Sequence, residues 1–326
     1  MTVLLLLGGL VLLVIGGELL VRGAVAIAGK LGVSPLMIGL TIVGMGTSMP
    51  ELAASLQAAL AGSPGIALGN IVGSNIANTL LILGVAALLA PIAVARGTLW
   101  RDGGVGVLAA CALLAIAWTT GLGRIAGIAL VAMMICYLVL AYRQERRAAA
   151  QHSAAFDKAV ALENIDPALS AEAERGTGWA VSLAFLLAGL GCIVGGGTLL
   201  VDAAVDLAIE FGMSETLVGL TIVAIGTSLP ELVTSAVAAI RKQSEVALGN
   251  VLGSNIYNVF FIGGVTGIIS PTPVPDTIAR LDLPVLVGVS LLAMVLAFTG
   301  ARLSRVEGLC LVLVYAVYLA FTAGLI

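Results

Sequence analysis

The chain carries one polar stretch twice. Gly46-Thr47-Ser48-Met49-Pro50-Glu51-Leu52 returns as Gly226-Thr227-Ser228-Leu229-Pro230-Glu231-Leu232. Downstream, Ala67-Leu68-Gly69-Asn70-Ile71-Val72-Gly73-Ser74-Asn75-Ile76-Ala77-Asn78 returns as Ala247-Leu248-Gly249-Asn250-Val251-Leu252-Gly253-Ser254-Asn255-Ile256-Tyr257-Asn258. Gly226 lies 180 positions after Gly46, and Asn258 lies 180 after Asn78, so one register relates both pairs. Such a chain must fold as two related halves. Each half places a carboxylate, hydroxyls and amides inside segments that are otherwise strongly apolar.

The surroundings of these stretches define the solvent. Of 326 residues, 60% are hydrophobic and only 10% are charged, against roughly 25% charged in an ordinary soluble domain. A globular core of this size cannot hide so much apolar surface, so lipid must solvate much of it. A net charge of -3 is too small to suggest a polyanionic partner such as nucleic acid. Cys111, Cys136, Cys192 and Cys310 sit singly in apolar runs with no CxxC pair; this argues against a disulfide or zinc framework and predicts small buried hydrophobes. The apolar run Thr2–Gly17 has no basic residues before it, Glu18 interrupts its end, and Gly16–Val21 has a counterpart at Gly196–Val201. It reads as part of the repeated fold and not as a signal peptide.

About 20 apolar residues cross a bilayer as a helix. Ten segments qualify, at roughly 3–24, 36–60, 66–90, 103–120, 124–142, 179–209, 216–240, 245–269, 283–300 and 304–325, with turns such as Gly62–Gly65 and Pro271–Pro275 between them. With the N-terminus outside, the inside connections hold thirteen of the fifteen Lys and Arg residues, and only Arg124 and Arg280 lie outside. This asymmetry predicts the orientation. The polar connection 143–178, partly helical in expectation, divides the chain into a first repeat (1–142) and a second (179–326). Five is odd, so the second half enters from the opposite side. The expected fold is therefore all-α, ten transmembrane helices in two inverted five-helix repeats, an architecture of secondary transporters with the ion site at mid-membrane.

Glu51 and Glu231 would each cost about 2.5–3.5 kcal/mol at the bilayer centre on insertion scales. Thr47 and Ser48 precede Glu51 by four and three residues and share its helix face, as Thr227 and Ser228 do with Glu231. Ser74 with Asn78, and Ser254 with Asn258, are spaced i, i+4. Pro50 and Pro230 break the helices, and the nearby glycines permit bending, which predicts carbonyls freed near Gly44 and Ala224. Carboxylate, hydroxyl, amide and carbonyl oxygens form the ligand set of hard cations such as Ca²⁺ and Na⁺. The sole histidine, His152, falls in the polar connection, far in sequence from either copy.

With both motif pairs present, the chain resembles the sodium/calcium exchanger family of cation:calcium antiporters, in its short prokaryotic form. The likeness covers nearly the whole chain. It implies Glu51 and Glu231 as central cation ligands, joined by Thr47, Ser48, Thr227 and Ser228, by Ser74, Asn78 and Ser254 in the neighbouring helices, and by the carbonyls of Gly44 and Ala224. It also implies that the glycine-rich first and sixth helices slide across this core. Some relatives have an aspartate where this chain has Asn258, which here leaves the two glutamates as the only acids in the core motifs.

The expected function is exchange of Ca²⁺ for Na⁺ across the cell (inner) membrane, with no cofactor, no enzymatic activity and no ATP, since no P-loop is present. The membrane lipid and the two ions are the partners implied. A Ca²⁺/H⁺ exchanger is the first alternative and a cation channel gated by the long connection the second. Ser55 and Ser235 read equally as packing or site lining. Asn70, Asn75, Asn250 and Asn255 read as cation ligands or as hydrogen bonds between helices, the second reading preferred, Gly69 and Gly249 as points of close approach, and Glu18 as an end-of-helix or pathway residue.

Overall fold

The computed structural model describes residues 2–31, 34–62, 64–151, 178–210, 224–271 and 273–322. Within them, helices follow the apolar segments closely. They are α1 (Thr2–Leu31), α2 (Pro35–Thr47), α3 (Met49–Leu60), α4 (Gly65–Leu89), α5 (Leu99–Thr119), α6 (Arg124–Gln151), α7 (Trp179–Glu210), α8 (Ala224–Thr227), α9 (Leu229–Ile240), α10 (Ser244–Ile269), α11 (Ile278–Gly300) and α12 (Arg305–Thr322). Eight of these are long and apolar enough to cross a membrane, and the bent pair α2 and α3 makes a ninth span. The predicted segment 216–240 falls partly outside the described residues, as do His152 and most of the polar connection. Helix α6 continues to Gln151, so the start of that connection is helical.

The fold is nearly but not wholly helical. Ile92–Ala93 (β1) and Arg302–Leu303 (β2) pair antiparallel, Ile92 opposite Leu303 and Ala93 opposite Arg302. The pair satisfies backbone groups where the chain leaves α4 and α11, and Ala301 takes a left-handed conformation to make the turn.

Two regions pack differently. Around α4 and α10 the spans are largely buried, whereas α5, α6, α11 and α12 bury less than a third of theirs. The outer helices therefore face lipid through residues such as Ile125, Val139, Val306 and Leu313, all exposed. Trp100 and Trp118 stand exposed at the two ends of α5, the depth at which membrane proteins place amphipathic aromatic rings. Cys111, Cys136 and Cys310 are exposed on this outer surface and Cys192 is half-buried. This corrects the expectation of buried thiols: in lipid a small apolar side chain gains nothing by facing inward.

Small residues let helices touch at the backbone. A Cβ on Gly189 would strike the Leu20 backbone of α1, and one on Gly253 would come within 2.6 Å of the Leu40 carbonyl. Gly249 similarly meets Leu36 O at 2.6 Å; among the described residues nothing comes within 4 Å of a Cβ on Gly69, and position 216, the repeat counterpart of Leu36, lies outside them. Glu18 lies in mid-helix, because α1 runs on to Leu31. It pairs with Arg22 and with Arg241, whose Nε donates to its Oε2 at 2.7 Å, tying α1 to the end of α9.

A second duplicated acid emerges only in three dimensions. Asp102 is fully buried and accepts from Arg101 Nε (2.7 Å), Arg101 Nη2 (2.8 Å) and Tyr137 Oη (3.0 Å). Asp282, 180 positions on, accepts from Tyr318 Oη at 2.9 Å. The tyrosines sit one position off the repeat register, which hides the relation in the sequence. Each pair clamps two outer helices together.

Candidate ion-binding site

The polar site begins where two helices stop being helical for one residue. Ser48 has φ -85° and ψ 8°, and Ser228 has φ -89° and ψ 5°. At the first break the helix bends by 43° between α2 and α3. Pro50 and Pro230 are the second residues of α3 and α9, where an N–H would have no helical partner and its loss costs nothing. The break thus lies at the serines, and each proline starts the next helix. Glu51 and Glu231 follow in the first turn, at the positive end of the helix dipole, which favours a carboxylate.

Both glutamates are fully buried. Each is bonded by the other repeat. Ser48 Oγ donates to Glu231 Oε1 at 2.8 Å, and Ser228 Oγ donates to Glu51 Oε1 at 3.1 Å. The second oxygen of each, Oε2, is buried without a hydrogen-bond partner among the described residues. No ion pair reaches either glutamate among the described residues. Two buried carboxylates with open oxygens and no cationic side chain are a strong demand for a cation.

The neighbouring helices close the site. Asn78 and Asn258 are fully buried, and neither amide atom of either has a hydrogen-bond partner. Each begins a turn of π-helix, Asn78–Ile82 and Asn258–Gly263, a distortion that often marks functional positions because it re-aims side chains. Ser254 Oγ lies 3.3 Å from Glu231 Oε1 and 3.4 Å from Gly44 O. Its counterpart Ser74 instead donates to Asn70 O within its own helix. The two repeats are thus not identical at this position.

The freed carbonyl expected at Gly44 is not free. Gly44 O accepts the Ser48 N–H at 3.1 Å, because α2 stays helical through Thr47 and the break falls one residue later. Thr47 Oγ1 at 3.3 Å and Ser254 Oγ at 3.4 Å also lie within hydrogen-bond distance of this oxygen, so it faces the polar site without being vacant. Ala224 is the first residue of α8, and the chain just before it lies outside the described residues.

Asn70 and Asn250 do bond between helices, in matched fashion. Asn70 Nδ2 donates to Glu51 O (3.1 Å) and Ser55 Oγ (2.9 Å), and Asn250 Nδ2 donates to Glu231 O (3.2 Å) and Ser235 Oγ (2.9 Å). Across the repeats, Thr227 Oγ1 donates to Asn70 Oδ1 and Thr47 Oγ1 to Asn250 Oδ1, both at 3.2 Å. Ser55 and Ser235 are therefore buried partners of these amides. Asn255 does bridge helices, to Thr79 Oγ1 at 2.8 Å, whereas Asn75 turns back to Ile71 O of its own helix at 2.7 Å. The duplication itself was the available signal for Asn70 and Asn250.

Comparison with known proteins gives the family and the fold. The sodium/calcium exchanger protein family matches residues 1–143 and 181–324. The chain is 36% identical to the sodium/calcium exchanger MaX1 of Methanosarcina acetivorans, covering 97% of both chains. It is 35% identical to the inner membrane protein YrbG of Escherichia coli, over 88% of this chain and 86% of that one. A solved structure of the sodium-calcium exchanger NCX_Mj, soaked with Na⁺ and Sr²⁺, superimposes with a TM-score of 0.82 at 32% identity, covering 98% and 97% of the two chains. The paired motifs, the apolar spans and these matches lead to one conclusion: the chain is a multi-pass membrane protein of the sodium/calcium exchanger family.

Proposed function

We propose that this protein exchanges Ca²⁺ for Na⁺ by alternating access, with Glu51 and Glu231 as the central cation ligands. The observation that carries the reading is the reciprocal pair of bonds, Ser48 to Glu231 and Ser228 to Glu51, which leaves one open oxygen on each buried carboxylate. Thr47, Thr227, Ser48, Ser228, Ser74, Ser254, Asn78, Asn258 and the carbonyls of Gly44 and Ala224 complete an all-oxygen set suited to hard cations. The sodium/calcium exchangers among the relatives support the choice of ions.

Two carboxylates carry two negative charges, and one Ca²⁺ neutralises them. Ca²⁺ and Na⁺ need the same glutamates, so they compete for one full site. A loaded site has its charge screened from the bilayer and can change its exposure; two bare carboxylates oppose that step through desolvation. The proposed frame is ten helices in two inverted repeats, 1–142 and 179–326, joined by the connection 143–178. The N-terminus lies outside the inner membrane and the connection in the cytoplasm. The 180-residue register and the paired serine–glutamate bonds support this frame.

The test is ⁴⁵Ca²⁺ uptake into proteoliposomes loaded with Na⁺, against K⁺, choline and an imposed pH gradient. Uptake that requires internal Na⁺ is the expected result. Uptake driven by the pH gradient alone would replace sodium with protons as the coupling ion.

A further inference from the structure

We propose that Asn70 and Asn250 are positioning residues that set the hydroxyl orientation of the ligand threonines, each acting on the opposite repeat. The inference rests on the reading that Thr47 and Thr227 contact the transported cations.

The amides have one orientation available. Asn70 Nδ2 sits between two acceptors, the Glu51 carbonyl and Ser55 Oγ, so its Oδ1 must face the other way, toward Thr227. A flipped amide would set its oxygen against the Glu51 carbonyl and its NH₂ against a hydroxyl whose proton then has lost this acceptor. Asn250 is held likewise by Glu231 O and Ser235 Oγ and presents Oδ1 to Thr47.

This orientation matters because a hydroxyl has a single proton. Thr47 Oγ1 lies 3.1 Å from Val43 O, 3.3 Å from Gly44 O and 3.2 Å from Asn250 Oδ1. A hydroxyl that ligates a cation must turn a lone pair toward it and its proton away. A proton given to Gly44 O would occupy an oxygen that is itself a proposed ligand. Val43 O and Asn250 Oδ1 both lie outside that set, and of the two only the amide belongs to the other repeat. Asn70 is bonded to the backbone of Glu51 in the first repeat and receives Thr227 of the second. Asn250 is bonded to Glu231 and receives Thr47. Each glutamate-bearing helix therefore governs a threonine of the other half, and a shift at one carboxylate reaches the opposite ligand through one amide.

The test is a pair of double-mutant cycles read in the half-saturating Ca²⁺ concentration for exchange in proteoliposomes. Thr227→Val and Asn70→Ala should each raise it, by about tenfold if roughly 1.4 kcal/mol of cation binding is lost. The double variant Asn70→Ala/Thr227→Val should be no worse than Thr227→Val alone. Asn70→Ala/Thr47→Val should instead multiply the two single effects. The mirrored cycle with Asn250 should couple to Thr47 and not to Thr227. Independent effects in the cross-repeat pairs would overturn the inference while leaving the threonines as ligands. A Thr227→Val protein with unchanged half-saturation would overturn both. Loss of folding in every Asn70 and Asn250 variant would assign these amides to structure alone and also overturn it.

Discussion

Ser48 reaches across the repeat boundary to hydrogen-bond Glu231, 183 positions away, at 2.8 Å. Its counterpart Ser228 reaches back to Glu51 at 3.1 Å. Neither carboxylate is thus served by the serine of its own motif, although each lies three residues from it. The half-turn break at the serine aims that hydroxyl away from its own helix and toward the other half. The site exists only when both repeats are assembled.

Glu51→Gln and Glu231→Gln should each abolish Ca²⁺ exchange while the protein still folds. Glutamine keeps the shape and can still accept from the opposing serine, but removes a buried charge that has no cationic partner. Thermal unfolding in detergent without added Ca²⁺ or Na⁺ should occur at the same or a higher temperature than in the parent. Preserved exchange in either variant would remove that residue from the ligand set.

Ser48→Ala and Ser228→Ala should weaken cation binding in a graded way. A hydrogen bond to a charged group contributes about 1.5–3 kcal/mol, which corresponds to roughly ten- to a hundredfold in half-saturating Ca²⁺. Each substitution strips a proposed oxygen ligand and a carboxylate's hydrogen-bond partner at once. Ca²⁺ titration of initial exchange rates is the measurement, and curves that overlay the parent would contradict the reciprocal arrangement.

Gly253→Ala should destabilise the protein. A methyl on Gly253 meets the Leu40 backbone carbonyl at 2.6 Å and its Cα at 2.8 Å, neither of which can move alone. About 1–3 kcal/mol of destabilisation is expected from such overpacking. The melting temperature of the purified variant against the parent is the measurement, and an unchanged value would contradict the close approach of α10 to α2.

Glu18→Gln should loosen α1. The Glu18–Arg241 pair joins α1 to the end of α9, and the repeat counterparts Thr198 and Ala61 carry no charge. The pair is only partly buried, so its contribution is on the order of 0.2–1 kcal/mol. Faster amide hydrogen exchange along α1 is expected, with recovery in the charge-swapped Glu18→Arg/Arg241→Glu protein. Unchanged exchange would show that α1 is held by its glycine-lined contact with α7 alone.

Periodic apolar runs made the helices legible, because about 20 apolar residues have one stable fate in a bilayer. The 180-residue register made Glu51, Glu231 and their polar neighbours legible for a similar reason: an uncompensated carboxylate in an apolar segment has few bland explanations. Side-chain direction was not legible. Whether Cys111 faced lipid or protein, whether Gly249 touched a neighbour, and whether Ser74 or Ser254 turned toward a glutamate depended on which helix lay opposite. The same holds for the Gly44 carbonyl, whose partner was decided by a break one residue later than the motif suggested. The sequence by itself determined which residues are polar within the membrane and that they come in two copies. Only the tertiary structure decided that each copy completes the other, because hydrogen bonds from Ser48 to Glu231 and from Thr227 to Asn70 join residues that no local spacing relates.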